Sequence, residues 1–295
     1  MSAISETRTP ARTAAIGWDV GAIVKFVAVT VIALVVISPL FLLVVASLKP
    51  DRFQILADMG SFRAFWVSNP SLDNYRNVAT FSGALPFGRY LLNSLVILFC
   101  TVLGGIFINS MAAFVLAWGR LPGRAIILTA FIALYIVPQE SIVLPLLTIV
   151  NKAGLSDTFA AQILPWMASP LYIFLIYQFF IQIPRDVYDA ATVDGASPFR
   201  IYWSVFLPIS GPVLATVAIL LGIETWNQYL WPLMVTNTDN ARPISVGIAS
   251  FFGHDSVYWN SAMAASVMMM APVLIFYLAF QRWFVSSFIS SAVKG

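Results

Sequence analysis

The chain has 295 residues, of which 60% are hydrophobic and 10% charged, with a formal net charge of +3 and a mean hydropathy of +0.86. Soluble domains carry about a quarter charged residues and disordered chains are poor in apolar ones, so both classes are excluded. One cysteine and one histidine leave no intrachain disulfide, no cysteine-built zinc cluster and no histidine-rich metal site. The composition is that of an integral membrane protein.

A hydrocarbon core about 30 Å thick takes roughly 20 helical residues, and the chain contains uncharged intervals of that length. Residues 1–25 read as a cytoplasmic tail whose polar start shows no cleavable signal pattern, with 16–24 lying along the inner membrane surface. The first predicted span is 26–48, followed by a periplasmic segment over 49–89. Spans are then predicted over 90–119, 125–151 (interrupted by Glu140), 158–184, 201–223 (continuing apolar past Glu224) and 256–281. Together, 90–284 form a five-helix core, and 285–295 a cytoplasmic tail. With both termini inside, the inner side carries nine basic and five acidic residues, and the outer side and helices seven and eight. That bias satisfies the positive-inside rule. The pI near 9.1 therefore reflects membrane asymmetry, and no nucleic-acid partner is expected. Pro39, Pro138, Pro145, Pro165, Pro170, Pro212 and Pro272 interrupt the spans. Each removes a backbone donor, which fits either a cavity lined by broken helices or ordinary kinks.

The loop over 183–209 is the most informative segment. Asp186 reads as an N-cap and Asp189 sits near the positive end of a short helix over about 186–194. Val187, Ala190 and Ala191 share a narrow face of small side chains. Gly195 offers a left-handed stop, and Pro198 suits the first turn of the next helix.

Asp189-Ala190-Ala191 followed by Gly195, between Ile183-Pro184 and Leu207-Pro208, resembles the EAA loop of ABC importer permeases, with aspartate where the family has glutamate. Ser47-Leu48-Lys49-Pro50, Leu72-Asp73-Asn74-Tyr75, Asn93-Ser94, the run from Lys152 to Thr158 and the run from Trp226 to Leu233 are similar to carbohydrate importer permeases. The Trp226 run, with Trp259-Asn260-Ser261 and Met268 to Met270, is close to the glycerol-3-phosphate importer branch. The resemblance implies an all-α, six-helix type I importer permease in the inner membrane. Its partners would be a second permease subunit, two ATPase subunits that hold ATP and Mg, and a periplasmic substrate-binding protein. It also implies that Arg185, Asp186, Tyr188, Asp189, Ala190, Ala191, Asp194 and Gly195 form the joint docking on an ATPase.

No phosphate-binding loop, H-E-x-x-H pair or G-x-S-x-G elbow occurs, so neither a catalytic residue nor a cofactor of this chain is expected. His254 reads as a solvated outer residue, and Met268 to Met270 as adaptable packing. Glu140 and Glu224 are acids within apolar spans, where carboxylates face a cavity or a partner. Glu224 reads as lining a substrate path, contacting a second permease, or resting inertly at the outer interface. Asn227 and Tyr229, with Trp166 and Tyr172, add the amide and aromatic groups that hold sugars. For the tryptophans, packing or an interfacial belt competes. A secondary transporter coupling ions through Glu140 or Glu224 is the alternative class.

Overall fold

The computed structural model describes residues 20–80, 87–249, 251 and 258–292; His254, most of the predicted N-terminal tail and the last three residues of the predicted C-terminal one lie outside them. Helices make up all the regular structure among these residues. Helix α1 (Val20–Ser47) begins upstream of the charge-free run, so 20–24 continue the first span. Two short helices, α2 (Arg52–Asp58) and α3 (Asp73–Thr80), precede α4 (Phe87–Trp118), the long helix at the centre of the molecule.

The next three predicted spans are each broken. Helices α5 (Arg124–Ile136) and α6 (Gln139–Lys152) meet at 99°, because Val137 and Pro138 are extended and a residue before proline avoids the helical region. Glu140 therefore lies in the first turn of α6 rather than deep within one continuous helix. Helix α7 (Phe159–Ile163) runs through a 3₁₀ turn into α8 (Pro170–Phe180) with a 45° bend. Helix α9 (Arg185–Val193) forms the short connecting helix, and α10 (Pro198–Ile201) follows it. A π turn over Tyr202–Phe206 and α11 (Leu207–Ile209) then lead to α12 (Gly211–Asn227), which departs at 80°. Two short helices, α13 (Leu230–Val235) and α14 (Ile244–Ala249), precede α15 (Trp259–Ala292).

By length and composition α1 and α4 each suffice to cross a membrane, and each bent pair does so when taken as one span; 259–275 of α15 is a shorter apolar stretch. Val24, Phe26, Val29, Ile32 and Val35 leave α1 apolar and exposed along its length, a surface suited to lipid rather than water.

The core sits where α4, α8 and α12 cross. Gly105 makes this possible: a Cβ there would come within 2.4 Å of Leu221 on α12 and 3.1 Å of the Met167 carbonyl in the α7–α8 break. Asn109, fully buried one turn along α4, completes that break. Its Nδ2 donates to the Met167 carbonyl at 2.8 Å, and its Oδ1 accepts from the Ser169 amide at 2.9 Å. Backbone groups freed by a helix break in lipid must find protein partners, and one side-chain amide supplies two of them. Ser210, also buried, donates to the Phe206 carbonyl at the third break.

Candidate functional site

Helix α9 is defined by its ends. Pro184, not Asp186, occupies the N-cap position, and no side chain caps the helix. The proline enters extended (φ −57°, ψ 142°), so helical geometry starts at Arg185 and Asp186 falls in the first turn. There its carboxylate still opposes the positive end of the helix. At the other end the Gly195 amide donates to the Thr192 carbonyl and the Ala196 amide to that of Ala191, both at 3.0 Å. This is a Schellman closure, and it needs the left-handed Gly195, whose φ is +79°. Ser197 then caps α10 by accepting from the Arg200 amide, with Pro198 in the first turn.

Tyr188 decides which face of α9 points inward. Its ring stacks on Trp118 at the end of α4, with centroids 5.1 Å apart and planes 9° from parallel. It also approaches Phe206 in the π turn and Phe114 on α4. Phe114 in turn meets Phe180, Tyr202 and Phe206, so one aromatic cluster joins α4, α8, α9 and the π turn. Val187 and Ala191 are half-buried beside Tyr188, whereas Ala190 is exposed with Arg185, Asp186, Asp189 and Asp194. The small-residue face is therefore split, Ala191 turned toward the core and Ala190 outward, and a large aromatic anchors the helix to the rest of the chain. Val193 joins the outward face, 86% exposed. The sequence reading missed Trp118, Phe114 and Phe206, whose only signal was aromatic residues beside a glycine and a Leu-Pro pair.

The intramembrane candidates divide. Tyr172 on α8 is buried, and the Glu224 carboxylate of α12 lies beside its hydroxyl with Tyr135 in electrostatic reach. The hydroxyl has no hydrogen bond of ordinary geometry within the chain. Glu224, Asn227 and Tyr229 are exposed, at the point where α12 breaks before α13. The Asn227 amide donates to Ile223 of its own helix at 2.9 Å. Glu140 is exposed and forms none of the ion pairs among the described residues. Trp166 stands apart from these, packed edge-on against Trp231 with centroids 6.0 Å apart. Met268 and Met269 pack against the cluster around Phe87 and Tyr90. Among the described residues no group of three or more His, Cys, Asp or Glu side chains is placed to hold a metal ion.

A polar scaffold lies at the end of the molecule opposite α9. Lys49 is 1% exposed and pairs with Asp58 at 2.8 Å, also donating to the Arg63 carbonyl. Asn74 donates to the carbonyls of Ser47 and Lys49 and accepts from Asn260 at the start of α15. Ser47 bonds to Tyr75 at 2.6 Å. The Ser47–Pro50 and Leu72–Tyr75 motifs are thus two halves of one network. Asn93 and Ser94 on α4 hold the loop over 236–243, Asn93 through the carbonyls of Asn240 and Arg242, and Ser94 by accepting from the Ile244 amide. Gln162 donates to Ala241 at 2.6 Å.

Asp157 fixes the other end of that loop, accepting from the amides of Asn237 and Thr238 at 3.0 Å each and from the Thr238 hydroxyl. Its φ of +62° is one that aspartate tolerates. Burial alone would raise its pKa, but the bonds from Thr238 and Asn237 and the charge of Arg242 hold it below the usual carboxylate value. A depressed folded pKa contributes stability that is complete above the unfolded value and is lost as pH falls through the folded one. The loop is therefore expected to stay docked from neutral pH down to about 5 and to loosen only below the ordinary carboxylate range. Exchange protection of the Asn237 and Thr238 amides measured against pH checks this, and Asp157→Asn should lower protection at neutral pH.

Comparison with known proteins agrees with this architecture. The crystal structure of a bacterial ABC transporter involved in the import of the acidic polysaccharide alginate contains a chain of the same fold. It has a TM-score of 0.75 at 21% identity, covering 94% of this chain and 100% of that one. The arabinooligosaccharides transport system permease protein AraQ of Halalkalibacterium halodurans is 31% identical over 264 residues, 90% of this chain and 93% of its own. The trehalose/maltose transport system permease protein MalG of Thermococcus litoralis is 31% identical over 276 residues, 92% and 97% of the two chains. The sn-glycerol-3-phosphate transport system permease protein UgpE of Pectobacterium atrosepticum is 34% identical over 208 residues, 70% and 74%. Residues 102–290, which hold the α4–α8–α12 core and the whole of α9, match the family described as binding-protein-dependent transport system inner membrane component, and the chain belongs to that family as a permease.

Proposed function

We propose that this permease forms half of a translocation path for a carbohydrate or a related polyol or sugar derivative, energised by ATPase subunits that dock on α9. The observation that carries this reading is the construction of α9. A charged outward face bearing Asp186, Asp189 and Asp194 is held to the core by one aromatic stack and closed by Gly195. A short helix so mounted moves with α4 and the π turn rather than flexing independently. π turns recur at functional sites because they re-aim the helix that follows. Asp189 is available to pair with a basic group of the ATPase, and Ala190 and Val193 offer it a small apolar contact. ATP and Mg belong to that partner, so hydrolysis is not an activity of this chain.

Taking α15 as the sixth span gives six crossings with both termini cytoplasmic, and α9 then faces the cytoplasm. A second permease subunit completes the path, and a periplasmic binding protein delivers substrate to the outer scaffold of 49–89 and 236–258. The named relatives transport polyhydroxylated compounds. Tyr172 and Glu224, with Asn227 and Tyr229 at the α12 break, offer the carboxylate, amide and phenol groups that such compounds bind. Glu140 belongs to the same path as a second exposed acid beside a helix break, whereas Trp166 serves packing. The test is uptake into vesicles carrying the whole complex. ATP is expected to drive it and a protonophore to leave it unchanged, whereas collapse with the proton gradient would favour ion coupling through Glu140 or Glu224.

A further inference from the structure

A groove of about 380 Å³ runs between α4 and α5, lined by Ile108, Met111, Ala112, Val115, Ile127 and Phe131. It plays no part in the reading above. Its walls are almost wholly apolar, and of these six side chains only Ala112 is small. Helices that pack against one another in membranes meet at small residues, which let the backbones approach. A wall of branched and aromatic groups suits a thin flexible chain better than a second helix. From Ile108 to Val115 the groove follows about 10 Å of helix at 1.5 Å per residue.

At the end of this groove α4 turns into α5 through 119–123, and the turn is flanked by Arg120 and Arg124. Both are exposed, and neither is among the ion pairs found in the described residues. Arg124 stands three residues before Ile127, hence on the same face of α5 as the groove. Guanidinium groups bind phosphate in a bidentate fashion that a lysine cannot reproduce. Basic pockets between helices at the cytoplasmic side take anionic lipid headgroups. We infer that the groove and the two arginines form a binding site for one anionic phospholipid, its acyl chain against α4 and α5 and its phosphate between Arg120 and Arg124. The inference requires that this end of the molecule face the cytoplasmic leaflet, as the proposed function has it, but not that α9 bind an ATPase.

Native mass spectrometry of the complete purified complex, titrated with phosphatidylglycerol or with phosphatidylcholine of the same chains, tests the site. Phosphatidylglycerol is expected to remain bound and phosphatidylcholine not. Arg120→Gln with Arg124→Gln should weaken binding about thirtyfold, from about 1 kcal/mol per basic residue. Ala112→Trp, which fills the groove and leaves both charges, should weaken it as well. Co-purification of the complex shows that each variant has assembled, and its loss in wild type would count against the proposed function without bearing on the lipid. Equal binding of the two lipids overturns the inference, as does full retention by the double variant. So does competition by headgroup glycerophosphate as strong as that of the intact lipid. A cysteine at position 112 that cross-links efficiently to the second permease also overturns it, because the groove is then an inter-subunit seam.

Discussion

Replacing Lys49 with methionine is expected to destabilise the polar scaffold around it by about 3–5 kcal/mol, the cost of removing one partner from a buried ion pair. The side chains of Lys49 and Asp58 are 2% and 12% exposed, so water does not replace the lost ammonium. The change also strips the donor from the Arg63 carbonyl, leaving two acceptors unmatched in one place. Because Asn74 bridges the Lys49 and Ser47 carbonyls to Asn260, the damage should spread to the start of α15. The expected readout is a lowered thermal midpoint of the purified protein and protease cleavage within 49–80. Removing both charges, with Lys49→Met and Asp58→Leu, should restore much of the loss, since an apolar pair in the same space leaves no orphaned charge. A double variant as unstable as the single one would show that the ion pair is not the source.

Gly195→Pro is the second large effect. Proline fixes φ near −65°, whereas Gly195 sits at +79°, and the change also deletes the amide that donates to Thr192. The closing turn of α9 cannot form, at a cost of about 3 kcal/mol or more. Gly195→Ala isolates the conformational part. Nothing lies within 4 Å of a Cβ added there, so alanine meets only the left-handed penalty of about 1–2 kcal/mol. Uptake at equal membrane expression should therefore be lost in the proline variant and reduced in the alanine variant. Equal activity of all three proteins would mean that the orientation of α9 does not matter.

The end of α9 was legible in the sequence because it is local chemistry: a glycine at a left-handed position, then Ser197 and Pro198 opening a helix. Its start was misread because an aspartate two residues after a proline looks like a cap, while the extended proline itself sets the boundary. Which face of α9 turns inward was not legible for a different reason. Ala190 and Ala191 are adjacent small residues, and only the ring of Trp118, far away in the chain, turns Tyr188 and Ala191 toward the core and leaves Ala190 outside. The helix breaks show the same division. Pro138, Pro170 and Pro212 mark where they fall, but their angles rest on non-local contacts such as the Asn109 amide and the bare face of Gly105. Of the acids, Glu224 was identified as expensive where it stands, yet nothing in the one-dimensional pattern placed it beside Tyr172. Lys49 sits in a motif whose resemblance was plain, whereas Asp58 carried no signal, and their pairing depends on how the segment over 52–65 folds back on the end of α1.

The central claim is that α9 transmits ATP hydrolysis in a separate subunit to this permease, and uptake by the reconstituted complex measures it most directly. Wild type and Asp189→Lys are compared in proteoliposomes with ATP inside and labelled sugar with its binding protein outside, with ATPase recovery quantified from the same preparation. The account predicts ATP-dependent uptake in wild type, and loss of both uptake and ATPase recovery in Asp189→Lys, whose side chain is exposed and unneeded for folding. Undiminished uptake and ATPase recovery in the variant would contradict it.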